Sequence, residues 1–183
     1  MHKLKPITPL GGHAAHVDQI GTLTIIEVVD QALASLAARN GQREVLQKAL
    51  PLRLPDVGKS TSDGDFTVFW IGPDQWMVSA AHDAHELLAA ELKQMVGAAA
   101  SVTEQTDGWC RFDVSGAAHC GLFERLSSVP IRAMQPGEVQ RGLIEHLGAF
   151  IWRIEGDRMA VLAPRSAAAS LHQTLVAAAR SIS

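Results

Sequence analysis

The sequence predicts an α+β protein with antiparallel sheets, and two observations carry that prediction. Apolar runs of strand length are joined by short turns, and each half of the chain contains a helix with a strand pair before and after it. That order is typical of a ferredoxin-like split β-α-β unit. We therefore expect an irregular arm over residues 1–20, followed by one domain over 21–183 whose two halves span about 21–98 and 99–183.

The arm is polar and rich in turn-forming residues, with Pro6, Pro9 and the pair Gly11-Gly12. A β-branched run over 22–29 then predicts a strand. The next segment, 32–39, stays ambiguous, because alanine and leucine favour a helix while its short length also permits a strand.

Asn40-Gly41 interrupts the chain, and the sequence then predicts a helix over 42–50 that Pro51 ends. The segment from Pro51 to Gly64 is rich in proline, glycine, serine and aspartate, which is typical of a surface loop.

The two apolar runs 66–71 and 76–80 surround the turn Gly72-Pro73-Asp74-Gln75. Proline fixes the first turn dihedral, and an aspartate can hydrogen-bond the backbone beyond it, so this stretch predicts a hairpin. A helix over 83–96 follows, because Asp83 with Glu86 forms a capping-box pattern before an apolar stripe.

In the second half, 102–106 and 109–114 predict a strand pair across Asp107-Gly108, a strong turn dipeptide. Ser115 is expected to cap a helix that ends near Ser127. Three further strands are predicted over 139–147, 150–154 and 158–162, and a final helix capped by Ser166 runs to the C-terminus.

Composition excludes several classes of protein. A net charge of −3, with the 16 lysines and arginines scattered, gives no electrostatic footprint for nucleic acid. No stretch has the roughly 18 consecutive apolar residues that a bilayer span needs, and the basic residues near Met1 are not followed by the apolar segment typical of a secretory leader. We therefore expect a cytoplasmic protein with no membrane partner, in which Cys110 and Cys120 are reduced.

The motifs of catalysis and cofactor binding are missing. The sequence contains neither GxGxxG after a strand nor GxxxxGK[ST], so the chain alone should bind no dinucleotide or nucleotide. His85-Glu86 begins a zinc-protease pattern, but Ala89 stands where the second ligand is required. The pairs His82/His85 and His13/His16 have no nearby carboxylate or cysteine partner in this interpretation, so no metal site and no catalytic residue is expected.

Two alternatives stay open at other residues. Asp74 either satisfies its own turn or presents an acid between Trp70 and Trp76 to a nitrogen-rich ligand or a partner arginine. Ser115 could serve as a hydrolase nucleophile if His119, four residues on, reached it with an acid in support.

Several stretches resemble the gamma subunit of heterotetrameric sarcosine oxidase, a small relative of the folate-binding glycine-cleavage T-protein fold. The resemblance lies in the segment 51–55, in Trp70-Ile71-Gly72-Pro73-Asp74-Gln75-Trp76, in Val114-Ser115-Gly116 and in Pro164-Arg165-Ser166-Ala167. It covers most of the chain. The candidate interface or structural positions that it marks are Trp70, Pro73, Asp74, Trp76, Ser115, Gly116 and Arg165.

The resemblance implies a non-catalytic subunit that assembles with alpha, beta and delta subunits. FAD, FMN, NAD, zinc and tetrahydrofolate would then belong to those partners, with no cofactor in this chain. T-protein relatives carry Val-x-Asp-x-Ser-His where this chain has 102–107, the chain has no tyrosine, and Arg132 replaces a frequent aspartate. A folate pocket would accordingly be degenerate, although a free-standing folate-binding or one-carbon-binding protein is the alternative.

Overall fold

The computed structural model describes residues 5–182, which form four α-helices and eleven strands in two sheets. The expected α+β class with antiparallel sheets is confirmed. The strands are β1 (Val17–Ile20), β2 (Leu23–Val28), β3 (Ala32–Ala38), β4 (Ser60–Asp63), β5 (Phe66–Gly72), β6 (Gln75–Ala80), β7 (Ala100–Glu104), β8 (Trp109–Ser115), β9 (Val139–Ile144), β10 (Leu147–Glu155) and β11 (Arg158–Pro164). The helices are α1 (Arg43–Ala49), α2 (Leu88–Val96), α3 (His119–Leu126) and α4 (Ala168–Arg180).

The first sheet has the order β1-β2-β8-β11-β10-β9, and the second has the order β4-β5-β6-β3-β7. In the first sheet, β2 pairs with β8 and β8 with β11, both antiparallel. In the second, β3 lies between β6 and β7, again with antiparallel pairing. The segment whose class was open therefore forms a strand, because it is paired on both sides in the sheet and most of its alanines and leucines are buried.

The chain divides into two compact units. Unit 1 comprises the chain up to Val29, Asp107–Pro136 and the chain from Gln140, while unit 2 comprises Asp30–Thr106 and Gly137–Val139. The short segment belongs to unit 2 because Ser60 N donates to Gly137 O at 2.7 Å and Val139 N donates to Gly58 O at 2.8 Å. Strand β2 lies in the first of the two expected halves, about 21–98, but it belongs to unit 1, whereas that half from Asp30 onwards belongs to unit 2.

Each unit contains its own hydrophobic core. In unit 1 the core includes fully buried side chains from β8, α3 and α4: Phe112, Leu122, Phe123, Leu171 and Leu175. In unit 2 it includes fully buried side chains from β3, β6, α1 and α2: Leu36, Leu46, Trp76, Leu88 and Leu92. The periodic apolar residues of α2 and α4 therefore face a core, as amphipathic helices require.

The expected hairpin across Asp107-Gly108 is wrong. Strand β7 pairs with β3 in the second sheet, whereas β8 pairs with β2 and β11 in the first, and a 3-10 helix at Thr106–Gly108 separates them. The turn dipeptide is present, but the strands on either side of it pair with strands from distant parts of the chain instead of with each other.

Three helices begin later than the sequence predicts. Helix α2 begins at Leu88, five residues after Asp83, because turns that include the bond from His85 N to Ala81 O occupy the preceding segment. Ser115 is the last residue of β8 and caps no helix, since α3 begins at His119 after Gly116. Ser166 lies in a 3-10 helix before α4, which also has no side-chain cap.

The predicted arm also contains regular structure. Val17–Ile20 forms β1 and pairs with β2, so the arm is irregular only before that strand within the described residues. Residues 1–4 of the predicted arm lie outside the described residues. Within the part of the chain that the structure covers, no helix combines the length and the apolar character that crossing a membrane requires.

Candidate functional site

The hairpin of β5 and β6 contains four of the candidate residues. Its turn consists of Pro73 and Asp74, and Asp74 has a φ of 52°, in the left-handed region. This pattern, with proline second and a positive φ third, is that of a type II turn. The Asp74 carbonyl accepts a hydrogen bond of 2.9 Å from Ala38 N, which ties the turn to the end of β3.

Trp76 is a core residue. Its side chain is 1% exposed, and its Nε1 donates a hydrogen bond of 2.9 Å to Pro55 O. The guanidinium of Arg43 lies 5.3 Å from the ring centroid, within the range of a cation–π contact. Trp76 therefore joins β6, the loop around Pro55 and α1, and it presents no surface to a ligand.

Trp70 lies directly opposite Trp76 across the hairpin. Cross-strand partners share one face of a sheet, so both rings are on the core side, and Trp70 packs against the core of unit 2. Its Nε1 is buried and finds no acceptor among the described residues. The two tryptophans are thus cross-strand partners on the same face of the sheet, but only the indole N–H of Trp76 has a hydrogen-bond acceptor among the described residues.

The carboxylate of Asp74 contacts an arginine of its own chain. Arg43 Nη1 lies 3.4 Å from Asp74 Oδ1, while Arg43 Nη2 lies 3.9 Å from Asp56 Oδ1. Both carboxylates are more than half exposed, so each pair contributes little to stability. An open groove of about 390 Å³ lies on the same helix, lined by Arg43, Glu44, Gln47 and Lys48.

Ser115 and Gly116 form the joint between β8 and α3. Ser115 is paired with Thr24 on one side and Arg158 on the other. Gly116 has a φ of 119°, and a Cβ at this position would stand 1.9 Å from the Thr22 carbonyl oxygen. No side chain fits there, so glycine is required for the close approach of two backbone segments.

The ring of His119 does not serve Ser115. Its Nδ1 lies 2.9 Å from Gly116 O, and its Nε2 lies 3.2 Å from Cys120 Sγ. Both ring nitrogens are therefore taken by other groups, and no bond to Ser115 is found in the described chain. This geometry removes the basis of the serine hydrolase alternative.

Arg165 connects the first described residues to the beginning of the 3-10 helix before α4. Its Nη2 donates to Ile7 O at 2.8 Å, and its Nη1 lies 3.5 Å from Asp107 Oδ1. All three residues belong to unit 1. The contact positions the segment before β1.

A buried ion-pair network that the sequence did not reveal lies in the first sheet. The Asp113 carboxylate accepts two hydrogen bonds from Arg111, at 2.6 and 3.0 Å, and two from Arg158, at 2.7 and 3.2 Å. Asp113 is 4% exposed. Two arginines on one buried carboxylate satisfy its charge and make it a structural group.

A second unexpected cluster joins His16, Asp18 and His172. The Oδ2 atom of Asp18 lies 2.7 Å from His172 Nε2 and 3.2 Å from His16 Nε2. The two imidazoles meet edge to face, with ring centroids 4.9 Å apart. The expectation that His16 has no nearby carboxylate partner is therefore wrong, since Asp18 lies two residues away in the sequence, while His172 enters from α4 at the other end of the chain.

Among the described residues, two carboxyl groups, one thiol and one guanidinium have displaced pKa values, and that of Arg132 is raised by its hydrogen bonds to Glu124. Burial acts to raise the pKa of Asp18, but the hydrogen bond and charge of His172, and then of His16, outweigh it and lower the pKa. The hydrogen bonds from Arg132 lower the pKa of exposed Glu124. Burial raises the pKa of Cys110 to about 11, so this thiol stays protonated and inert at neutral pH.

No protein-family model and no curated protein matches this chain. Among solved structures, it is similar to a chain of the heterotetrameric sarcosine oxidase from Corynebacterium sp. U-96 in complex with pyrrole 2-carboxylate. That match has a TM-score of 0.78 and 19% identity and covers 89% of this chain and 86% of the other.

It is also similar to the glycine cleavage system aminomethyltransferase T from Bartonella henselae, with a TM-score of 0.64 and 18% identity. That match covers 84% of this chain and 48% of the enzyme, so the chain corresponds to about half of it. At these identities the likeness concerns architecture alone. The protein therefore has the α+β fold, with two antiparallel sheets, of T-protein-like chains.

Proposed function

We propose that this protein is the gamma subunit of a heterotetrameric sarcosine oxidase. One observation carries the proposal: the match to a sarcosine oxidase chain covers 89% of this chain and 86% of that one. The two chains therefore have closely similar lengths and one architecture. The T-protein, in contrast, is matched over only 48% of its length.

In this proposal the chain acts as a structural and assembly subunit. The complex oxidises sarcosine to glycine, with hydrogen peroxide and formaldehyde or methylene-tetrahydrofolate as the other products. The residues that mark the resemblance support a structural role, since Trp76 fills a core and Gly116 permits a backbone contact. FAD, FMN, NAD, zinc and tetrahydrofolate are then assigned to the alpha, beta and delta subunits.

Co-expression tests the proposal. The chain is produced together with the alpha, beta and delta chains of a heterotetrameric sarcosine oxidase, and the mixture is separated by size exclusion. We expect co-elution as one complex that oxidises sarcosine, while the isolated chain oxidises no amine. Elution of this chain alone, with an active complex formed without it, would contradict the assignment.

Surface variants sharpen this experiment. Val57 and Leu87 in unit 2 are 71% and 67% exposed, and Leu143 in unit 1 is 54% exposed. Exposed large apolar residues often mark interfaces. We expect at least one of Val57→Asp, Leu87→Asp and Leu143→Asp to reduce co-elution without lowering the melting temperature, while Glu86→Lys, an exposed polar control beside Leu87, has no effect.

A second candidate is a free-standing folate or one-carbon binding protein, which the likeness to an aminomethyltransferase favours. The four tryptophans make binding measurable by fluorescence quenching. Quenching by tetrahydrofolate that saturates at micromolar concentration, in a chain that elutes alone, would favour this function. No quenching up to millimolar ligand would exclude it.

A further inference from the structure

We propose that His16, Asp18 and His172 form a site for a divalent transition-metal ion, best suited to Zn²⁺, which fastens β1 to α4. The inference is independent of the proposed function and concerns unit 1 alone, to which all three residues belong. Nε2 of each histidine and a carboxylate oxygen of Asp18 would be the ligands. The three donor atoms lie within 4.8 Å of one another.

The spacing of these atoms suits one small ion. Zinc binds nitrogen and oxygen donors at about 2.0–2.2 Å, and in a tetrahedral site two such donors stand roughly 3.3 Å apart. Asp18 Oδ2 is 2.7 Å from His172 Nε2 and 3.2 Å from His16 Nε2. Small rotations of the imidazoles would therefore bring the three donors closer to the separations that one ion requires.

The donor set selects the class of metal. Two imidazoles and one carboxylate suit zinc and neighbouring transition metals, while calcium and magnesium prefer oxygen donors alone. His16 is 51% exposed on its side chain, whereas Asp18 and His172 are 22% and 19% exposed. The site is thus open to solvent on the His16 side, where water would supply the fourth ligand.

The ligands are held in place before any ion arrives. Glu27, which is 1% exposed, accepts hydrogen bonds from His16 N at 3.1 Å and from Leu10 N at 2.9 Å. Glu27 N also donates to His16 O at 2.8 Å. His172 is fixed by α4 and stands beside Phe112, with ring centroids 5.7 Å apart. Such preorganisation reduces the cost of binding a metal.

The first test measures zinc affinity. The full chain is stripped with a chelator and titrated with Zn²⁺ in competition with a chromophoric chelator. We expect one tight equivalent in the wild type. Both His172→Ala and Asp18→Asn should weaken binding at least about 100-fold, since loss of a supporting residue alone costs 10- to 100-fold. His146→Ala, which removes an exposed histidine of the same unit, should bind as the wild type does.

The second test reports coordination and guards against misfolded variants. Melting temperatures measured without metal show whether each variant folds, and the isosteric Asp18→Asn keeps the shape of the site. Co²⁺ added to the wild type should give the intense visible bands of a four-coordinate site, and these should be lost in Asp18→Asn. Zn²⁺ should raise the melting temperature of the wild type and of His146→Ala only.

Two results would overturn the proposal. One is that the wild type binds no tight equivalent of Zn²⁺ when the metal is in 100-fold excess over the protein. The other is equal binding by the wild type and both folded ligand variants, which would mean adventitious binding to scattered histidines. In either case the cluster is a hydrogen-bonded triad only.

Discussion

At the scale of single residues, the tryptophan pair of the β5–β6 hairpin shows how equal register positions acquire different roles. Trp76 Nε1 reaches Pro55 O, while Trp70 Nε1 is buried without an acceptor among the described residues. A buried donor that is unpaired costs free energy, whereas a paired one contributes to stability. The two indoles should therefore respond differently to the same substitution.

We predict that Trp76→Phe lowers the free energy of unfolding by at least about 1 kcal/mol more than Trp70→Phe does. The first variant loses a buried hydrogen bond and leaves Pro55 O unpaired, while the second removes an unpaired donor. Trp76→Ala should cost about 3–5 kcal/mol through the cavity it leaves. Urea unfolding followed by circular dichroism measures all three, and equal losses in the two phenylalanine variants would refute the assignment.

The two cysteines should differ in reactivity. Burial raises the pKa of Cys110 to about 11, and its side chain is 2% exposed, whereas Cys120 is partly exposed. We predict that iodoacetamide at pH 8 modifies Cys120 in the native protein and reaches Cys110 only after unfolding. Peptide mapping by mass spectrometry follows both sites, and rapid native alkylation of Cys110 would be the opposing result.

The same thiol makes stability depend on alkaline pH. In the unfolded chain Cys110 ionises near its ordinary pKa of 9.0, while in the folded chain it stays protonated to about 11. Unfolding therefore releases a proton between these values, and stability falls as pH rises through that window, by at most about 1.4 kcal/mol per unit. Cys110→Ala should show a flatter decline of unfolding free energy over this range.

At the scale of elements, the joint between β8 and α3 depends on Gly116. Its positive φ and its contact with the Thr22 carbonyl leave no room for a Cβ. We predict that Gly116→Ala costs several kcal/mol, because the backbone must move in addition to the strain of a left-handed residue. The matched control is Gly11→Ala, which has a φ of 84° with open space around it and should lose only about 1 kcal/mol.

Thermal melts of the two glycine variants make the comparison. If both lose the same stability, the positive φ alone explains the requirement and the close approach to Thr22 contributes nothing. A larger loss for Gly116→Ala, accompanied by faster hydrogen exchange in β2 and β8, is the expected outcome.

Elements whose signals are local could be predicted from the sequence. The β5–β6 and β10–β11 hairpins follow from short turns between apolar runs, and α1 ends where Pro51 requires it. The predicted hairpin across Asp107-Gly108 is wrong, although its turn dipeptide is an equally strong local signal, because β7 and β8 each pair with distant strands. The predicted helix starts were wrong for a related reason. Residues typical of helix N-caps are present, but they lie in turns or at the end of a strand.

The candidate site could be predicted only in part for the same physical reason. The Trp70–Trp76 stretch is contiguous, so its turn and its strands were visible. The cluster at Asp18 was not, because His172 lies on α4 and the two residues approach only through packing of unit 1. No local pattern encodes a contact between residues 154 positions apart.

At the scale of the whole molecule, each unit has its own hydrophobic core. We predict that Leu92→Ala on α2 accelerates hydrogen exchange mainly in unit 2, and that Leu175→Ala on α4 does so mainly in unit 1. Each substitution removes a fully buried side chain and should cost about 2–5 kcal/mol in the unit that contains it. Mass spectrometry of deuterated peptides locates the effect, and uniform acceleration by both variants would instead indicate a single cooperative structure.

The discontinuity of unit 1 has a consequence for synthesis on the ribosome. Nearly all of unit 2 is one stretch, Asp30–Thr106, so its strands can pair while the rest of the chain is still being translated. The sheet of unit 1 must wait, because β2 needs β8 and β8 needs β11, which is made much later. During that interval the nascent chain can pair β2 with β1 but not with β8, and the unit translated first can be the last to complete its fold.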